Sequence, residues 1–245
     1  MGVGGLGCPA ALALARAGIG RLVLCDDDIV DITNLHRQVL FDEADVGRDK
    51  LDVARSRLLH EGAQEVDLIR SRLLPDVARE MVREVDVVLE GTDNFPSKFL
   101  AADACYLERK AIVHGAAVRF VGTALSVAAH AAPCYRCLFE DLLEQGKAPN
   151  CTEAGVVGPV VGVVGALMAD LALDVLVGDG SRQGVIYSFD GKKIALRPLS
   201  VPPRADCMLC GTDSPSPISE IHLGLYLRDH MGCSSPAASV PSQQI

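Results

Sequence analysis

The sequence lacks tryptophan, and aromatic residues of all kinds make up only 4% of its 245 residues. Positive charge is also scarce, since 23 lysines and arginines face 32 aspartates and glutamates and give a formal charge of −9. Binding to nucleic acid or to an anionic membrane is therefore disfavoured, because both depend on neutralising phosphates with cations. An apolar fraction of 49% against 22% charged residues excludes a disordered chain and predicts a core of valine, leucine and alanine.

No basic segment followed by an apolar one opens the sequence, so we expect no secretory signal and a cytoplasmic protein. Residues 156–177 are apolar enough to suggest a membrane span. Pro159, Asp170 and Asp174 within that stretch favour a buried helix of a soluble fold instead. The nine cysteines are an odd number, which favours metal ligation or thiol chemistry over a disulfide framework.

Short apolar runs alternate with helical patterns in the first half of the chain, which predicts a parallel sheet with helices on both faces. The predicted strands are residues 22–25, 85–89 and 111–114, and the predicted helices are 9–17, 49–60, 75–83 and 96–109.

The pattern changes in the second half to extended stretches suited to antiparallel pairing. These stretches are residues 119–129, 185–189 and 194–197, with a polar segment, 140–150, predicted as a mobile crossover loop. We expect one domain over residues 1–211 and a Ser- and Pro-rich extension over 212–245, of which 234–245 are predicted to be disordered.

A glycine loop at residues 2–7, GVGGLG, precedes the first predicted helix and includes Gly4 and Gly5. Glycines of this spacing let the backbone approach a phosphate, and a helix N-terminus favours negative charge. Asp26 follows nineteen residues after Gly7, where a dinucleotide fold places its ribose-binding carboxylate. A glycine-rich turn without a ligand stays open as the alternative, whereas no P-loop motif occurs in the chain.

More polar residues follow than a dehydrogenase requires. Arg37, Gln38 and Lys50 supply two cations and an amide, which suit a triphosphate better than a dinucleotide. A later GTDN places Asp93 and Asn94 after a predicted strand, where a carboxylate beside phosphates could hold Mg²⁺. Taken singly, each of these residues is more simply a solvated charge or a turn.

Two C-x-x-C pairs, Cys134/Cys137 and Cys207/Cys210, stand 69 residues apart. Four such thiolates predict a closed, structural zinc site that joins distant segments, with a redox pair or an iron–sulfur cluster as weaker alternatives. Of the remaining cysteines, Cys151 differs because it follows the polar loop and precedes an apolar helix, where a thiol can be reactive. The simplest interpretation of Cys8, Cys25 and Cys105 is burial in the core.

Seven stretches together resemble the MoeB/ThiF/HesA group of ubiquitin-activating-type adenylyltransferases. They are GVGGLGCP, LCDDDIVDITNLHRQVLF, VGRDK, VVLEGTDN, APCYRCLF, CTEAGVVGPVVGVVG and CMLCG, in order over residues 1 to 211. The resemblance implies a Rossmann-like, doubly wound, mostly parallel sheet that continues into an antiparallel portion with a structural zinc site. It also implies that the C-terminal carboxylate of a small β-grasp sulfur carrier, ending in Gly-Gly, attacks the α-phosphate of MgATP.

The same resemblance assigns roles by motif. Around the nucleotide it implies Gly4, Gly5, Asp26, Asp28, Thr33, Asn34, Leu35, His36, Arg37, Lys50, Asp93 and Asn94. Arg37 and Lys50 would offset charge in the transition state, Asp93 would hold Mg²⁺, and Cys151 matches a position that carries a persulfide or thioester in some members. We also expect a homodimer and, because no rhodanese-like domain follows, a separate sulfur donor.

The family has a buried strand and a helical arm before the glycine loop, and both are missing from the sequence as written. We therefore expect unpaired strand edges, and hypothesise that an internal GTG codon was read as the initiator Met1. Two alternatives stay open: a non-catalytic protein that binds the carrier, and a nicotinamide-dependent oxidoreductase. The pathway, molybdopterin, thiamin or another, is not distinguished by the sequence.

Overall fold

The computed structural model describes residues 1–139, 155–221 and 223–226. Its strands are β1 Arg21–Cys25, β2 Glu65–Ile69, β3 Val87–Glu90, β4 Ala111–Val118, β5 Val121–Val127, β6 Val185–Asp190 and β7 Ala195–Ser200. Its α-helices are α1 Gly7–Arg16, α2 Lys50–His60, α3 Ala78–Arg83, α4 Phe95–Leu107, α5 Tyr135–Leu138 and α6 Gly158–Val177. Single 3₁₀ turns cover Ile32–Asn34, Glu43–Asp45 and Leu223–Leu225.

The strands form two sheets. β1 pairs with β2 in parallel, while β3, β4, β5, β6 and β7 follow one another in a second sheet. In that second sheet β3–β4 is parallel and the three later pairings are antiparallel. The predicted α/β fold, with a parallel portion that continues into an antiparallel one, is therefore confirmed.

Both faces of the larger sheet are covered, as side-chain alternation along β4 and β5 requires. Val113 and Ala124 belong to one hydrophobic cluster with α1, α2 and α6. Their neighbours Ile112 and Leu125 belong to a second cluster, on the other face, with α3, α4 and the C-x-x-C segments. The polar loops at the strand ends thus sit on a core that is packed on both sides.

β1 and β3 belong to separate sheets, and no strand lies between them in the described residues. The main chain of Met1 and Gly2 bridges the gap instead. Gly2 donates its N–H to the Cys25 carbonyl at 2.9 Å, and Gly91 donates to the Met1 carbonyl at 3.1 Å. An apolar cavity of about 200 Å³ lies beside this bridge, lined by both strands.

The longest apolar helix, α6, is long and apolar enough to cross a membrane by length and composition alone. Half of its most apolar window is buried inside the protein, and the helix packs on α1, β4 and β5. Asp174 within it is buried and pairs with Arg182 at 3.1 Å. These contacts are those of a core helix.

Three differences from the predicted elements stand out. β2 was not predicted, because Glu65 and Asp67 interrupt its apolar pattern and its side chains are mostly half-buried or exposed. β4 runs four residues beyond the predicted end. The extension contributes to the core, since Ile218 and Tyr226 are buried. The predicted loop at 140–150 and the predicted disorder at 234–245 lie outside the described residues.

Candidate nucleotide site and thiolate cluster

The glycine loop is a tight turn that ends in the first turn of α1. A Cβ at Gly7 would lie 1.9 Å from the Gly2 carbonyl oxygen, so no other residue fits there. Gly2 itself has φ +77°, a conformation that favours glycine. The loop therefore requires its glycines for backbone geometry, and it places the N-terminus of α1 where an anion would be stabilised.

Asp26 follows β1 directly and holds this loop in place. Its Oδ2 accepts the Val3 N–H at 2.6 Å, and its Oδ1 accepts the N–H groups of Asp27 and Asp28 at 2.9 and 3.0 Å. The carboxylate thus connects the end of β1 to the glycine loop. Its predicted contact with a ribose stays a prediction.

The segment that carries Arg37 packs over the glycine loop. A Cβ at Gly5 would lie 3.3 Å from the Arg37 Cδ and 2.9 Å from the Val161 side chain. The Arg37 guanidinium donates to the Asn34 Oδ1, and the His36 Nδ1 lies 2.9 Å from the Thr33 carbonyl oxygen. The Thr33 hydroxyl donates to Asp31, and Leu35 is half-buried against the core. The structure therefore brings Arg37 to the loop, while Thr33 and His36 lie on the exposed side of their turn.

Lys50 is the first residue of α2, and its side chain is only 4% exposed. Its Nζ donates to the Asp28 Oδ2 at 2.9 Å. Asp28 itself is exposed, so the ammonium lies close to the surface at the carboxyl end of β1. Its pairing with Asp28 was not foreseen from the sequence, and its contact with phosphate stays a prediction.

Asp93 and Asn94 lie in the loop after β3. Asp93 is exposed, whereas the Asn94 Oδ1 accepts the Ser97 N–H at 2.9 Å and caps α4. A Cβ at Gly91, in the same loop, would lie 3.2 Å from the Leu6 Cβ and 3.5 Å from the Gly7 N. The GTDN loop and the glycine loop are therefore in contact through Gly91, and the place of Asp93 in a nucleotide site stays a prediction. The cap explains Asn94 without a ligand, and its predicted place beside Mg²⁺ stays a prediction.

A buried network that the sequence analysis missed is bonded to Thr92, the residue before Asp93. Glu90, Lys98 and His114 are each at most 5% exposed. Glu90 Oε2 accepts from the Lys98 Nζ at 2.7 Å, and the His114 Nδ1 lies 3.3 Å from the same oxygen. Burial opposes ionisation of Glu90, but Lys98 and His114 outweigh it and lower its pKa to about 2. The sequence held one signal for this network: an acid that ends a strand and a lysine inside an apolar helix.

The two C-x-x-C pairs meet as predicted. The four Sγ atoms lie within 4.8 Å of one another, and three of the four side chains are buried. Cys134 Sγ lies 4.0 Å from Cys137 Sγ and 3.5 Å from Cys207 Sγ, while the Cys137 and Cys210 Sγ atoms are 3.3 Å apart. Tetrahedral Zn–S bonds of about 2.3 Å require sulfurs about 3.8 Å apart, so the cluster fits zinc.

The electrostatics of the cluster agree with a cation site. Burial and repulsion by the other thiolates raise the pKa of Cys134, and burial raises the pKa of Cys210 to about 12. For Cys207, backbone N–H groups outweigh burial and lower the pKa. Four thiolates at this site therefore need a positive ion to balance them.

A second buried ion pair supports the first C-x-x-C segment. Arg136, between the two cysteines, binds both carboxylate oxygens of Asp103 on α4, at 2.8 and 2.7 Å. The Tyr226 hydroxyl donates to the same Asp103 at 2.5 Å. Through Tyr226, the extension thus contacts the ion pair that holds the first C-x-x-C segment, which the sequence did not suggest.

The other described cysteines are structural, as predicted. Burial raises the pKa of Cys8 to about 12, and burial also raises the pKa values of Cys25 and Cys105. Cys151 lies outside the described residues, so its role is untested.

Fold and site together define the class: a Rossmann-type α/β protein with a glycine-loop crevice and a separate four-cysteine centre that could bind zinc. The chain belongs to the ThiF family, whose pattern it matches over residues 1–209. It is 40% identical over 219 residues to the adenylyltransferase and sulfurtransferase MOCS3 of Aedes aegypti, covering 88% of this chain and 50% of that one. The chain thus spans about half the length of the MOCS3 relatives that it matches.

Shorter relatives are matched over most of their length. The chain is 39% identical over 220 residues to the sulfur carrier protein ThiS adenylyltransferase of Escherichia coli K12, covering 89% of this chain and 87% of that one. Among solved structures, E. coli MccB with ATP matches with a TM-score of 0.70 at 24% identity, over 86% of this chain and 65% of that one. At 24% identity, the match to MccB supports the fold alone.

Proposed function

We propose that this protein adenylylates the C-terminal Gly-Gly carboxylate of a small ubiquitin-like sulfur carrier protein. ATP and the carrier carboxylate are the substrates, and carrier acyl-adenylate and pyrophosphate are the products. Relatives of nearly full-length match are named as adenylyltransferases of sulfur carrier proteins, which supports this choice. The observation that carries it is the contact of three motifs in one crevice: the glycine loop, Arg37 and the GTDN loop.

The reaction needs alignment and charge stabilisation more than a base, because the attacking carboxylate is already ionised. Attack of its oxygen on the α-phosphorus forms the acyl–phosphate bond, and the bond to the leaving pyrophosphate breaks. Arg37, over the glycine loop, and Lys50, at the start of α2, are the cations that would offset the charge that develops. Lys50 must then exchange its partner Asp28 for a phosphate oxygen.

Two metals fit the residues. Asp93 is an exposed carboxylate in the loop whose Gly91 contacts the glycine loop, and it offers an oxygen ligand of the kind Mg²⁺ prefers. Bound Mg²⁺ would neutralise phosphate charge. The four-cysteine cluster would hold zinc with every position taken by protein sulfur, which makes it a structural centre.

Exchange of radiolabelled pyrophosphate into ATP tests the proposal. We expect exchange that needs both Mg²⁺ and a carrier with a free C-terminal carboxylate, and none with the same carrier amidated at that end. Exchange without any carrier, or ATP-independent binding of NAD(H), would contradict it. Carrier binding without exchange would instead support the non-catalytic alternative.

We further infer a cytoplasmic homodimer that works with a separate sulfur donor in a molybdopterin- or thiamin-type pathway. Light scattering of the purified protein tests the dimer, and a monomer at micromolar concentration would contradict it. The role of Cys151 is tested by comparing sulfur transfer in Cys151→Ala and wild type.

A further inference from the structure

The carboxylate of Glu90 is the centre of a buried hydrogen-bond network. Its Oε1 accepts the Thr92 N–H at 2.8 Å and also the Thr92 hydroxyl. Its Oε2 accepts from Lys98, which also donates to the Gly115 carbonyl at 2.6 Å. Glu90 is 0% exposed, so this charge is held without help from solvent.

The network fixes one side of Asp93, and the helix cap fixes the other. Thr92 is bound to Glu90 through main chain and side chain, and Asn94 is bound to Ser97 on α4. Asp93 stands between these two anchored residues with its own side chain exposed. Its backbone position is thus determined on both sides.

His114 completes the support from β4. Burial lowers its pKa, which keeps the ring neutral with a proton on Nδ1 directed at Glu90. Its ring stacks on Tyr135, with centroids 4.2 Å apart, and its Nε2 has no partner among the described residues. The carboxylate therefore meets donors from its own loop, from α4 and from β4.

We propose that Glu90, held in an ion pair with Lys98, is a positioning residue. Through Thr92 it fixes the backbone at Asp93 for binding of the metal–nucleotide complex. The inference rests on the proposed function, because it assigns a purpose to the Asp93 loop. A buried ion pair is weak support for stability, since two well-packed apolar residues often replace one at no loss. An ionised acceptor does more here than a neutral one, because bonds to a charged group are stronger and hold the Thr92 N–H more firmly.

The test compares two double variants of matched volume. Glu90→Leu/Lys98→Met removes both charges and the acceptor for Thr92, whereas Glu90→Gln/Lys98→Met removes both charges but keeps a neutral acceptor. Asp174→Leu/Arg182→Met removes another buried acid and its cation, at the end of α6, as the control. Two properties are measured: amide hydrogen exchange over residues 91–94 without ligand, and the affinity for MnATP by electron paramagnetic resonance.

We expect Glu90→Leu/Lys98→Met to fold, to exchange these amides at least about 10-fold faster and to bind MnATP about 10-fold more weakly, the effect of one lost charged hydrogen bond. The Gln/Met variant, whose neutral acceptor makes weaker bonds to Thr92, should recover only part of both losses, and the control should match wild type. Unchanged exchange and affinity in the Leu/Met variant would overturn the inference while the proposed function stands. A wild type that does not bind MnATP would overturn both.

If the Leu/Met variant does not fold, Thr92→Val tests the inference in its place. It removes the hydroxyl bond and keeps the main-chain bond, so a smaller loss of MnATP affinity, about 3-fold, is expected with normal stability. Affinity equal to wild type in this variant would count against the inference.

Discussion

The crevice at the glycine loop and the four-cysteine cluster hold their polar groups in different ways. At the crevice, Asp28, Thr33, His36 and Asp93 are exposed on loops at the carboxyl ends of strands. At the cluster, three of the four cysteines are buried, and buried Asp103 and Arg136 support them from below. Exposed groups on anchored loops remain available to a ligand, whereas buried groups that satisfy one another hold segments together.

The largest effect should follow from loss of one thiolate. Cys207→Ser should remove the zinc and lower the free energy of unfolding by more than about 4 kcal/mol, because structural zinc binding is folding energy. Metal analysis and thermal unfolding measure both. Cys105→Ala, which removes a buried cysteine outside the cluster, should keep one zinc per chain. A Cys207→Ser protein that is stable without zinc would contradict the claim that the cluster, unlike the crevice, stabilises the fold.

The crevice should behave in the opposite way, with large losses of activity at little cost in stability. Arg37→Ala should lower pyrophosphate exchange by about 10²–10³, the scale for one lost electrostatic donor, while unfolding changes by less than about 1 kcal/mol. Arg70→Ala, which removes an exposed arginine paired with Asp52, is the matched control. Full exchange by the Arg37 variant would exclude it from the catalytic groups.

The buried contacts of Asp103 with Arg136 and Tyr226 can be weakened without changing a cysteine. Tyr226→Phe removes the hydrogen bond to the Asp103 carboxylate, and we expect a loss of about 1.5–3 kcal/mol in unfolding free energy. Zinc content and exchange activity should stay normal. If the variant unfolds like wild type in urea, the Tyr226–Asp103 hydrogen bond does not contribute to stability.

The smallest expected effect is in acid. The pKa of Glu90 is lowered in the fold to about 2, so its contribution to stability is complete above about pH 5 and is lost as pH falls toward 2. By linkage the loss is about 1–2 kcal/mol at pH 3.5. Urea unfolding at pH 7 and 3.5 should show this extra loss in wild type relative to Glu90→Gln/Lys98→Met. Equal losses in the two proteins would contradict the lowered pKa.

Local patterns predicted much of this molecule because they are set by backbone geometry. The glycine loop, the two C-x-x-C pairs and the strands around Val88 and Ile112 follow from residue type and spacing. The Glu90–Lys98 and Asp103–Arg136 pairs do not, because each joins residues that only the fold brings together. β2 was missed for a related reason: Glu65 and Asp67 leave no continuous apolar run, and its pairing with β1 decides its structure.

The most direct test of the central claim is the intact mass of a Gly-Gly carrier after incubation with this protein and MgATP. The account predicts a carrier heavier by one adenylyl group, formed with wild type and lost when the carrier terminus is amidated. An unmodified carrier, from protein that is folded and loaded with zinc, would contradict the adenylylating function.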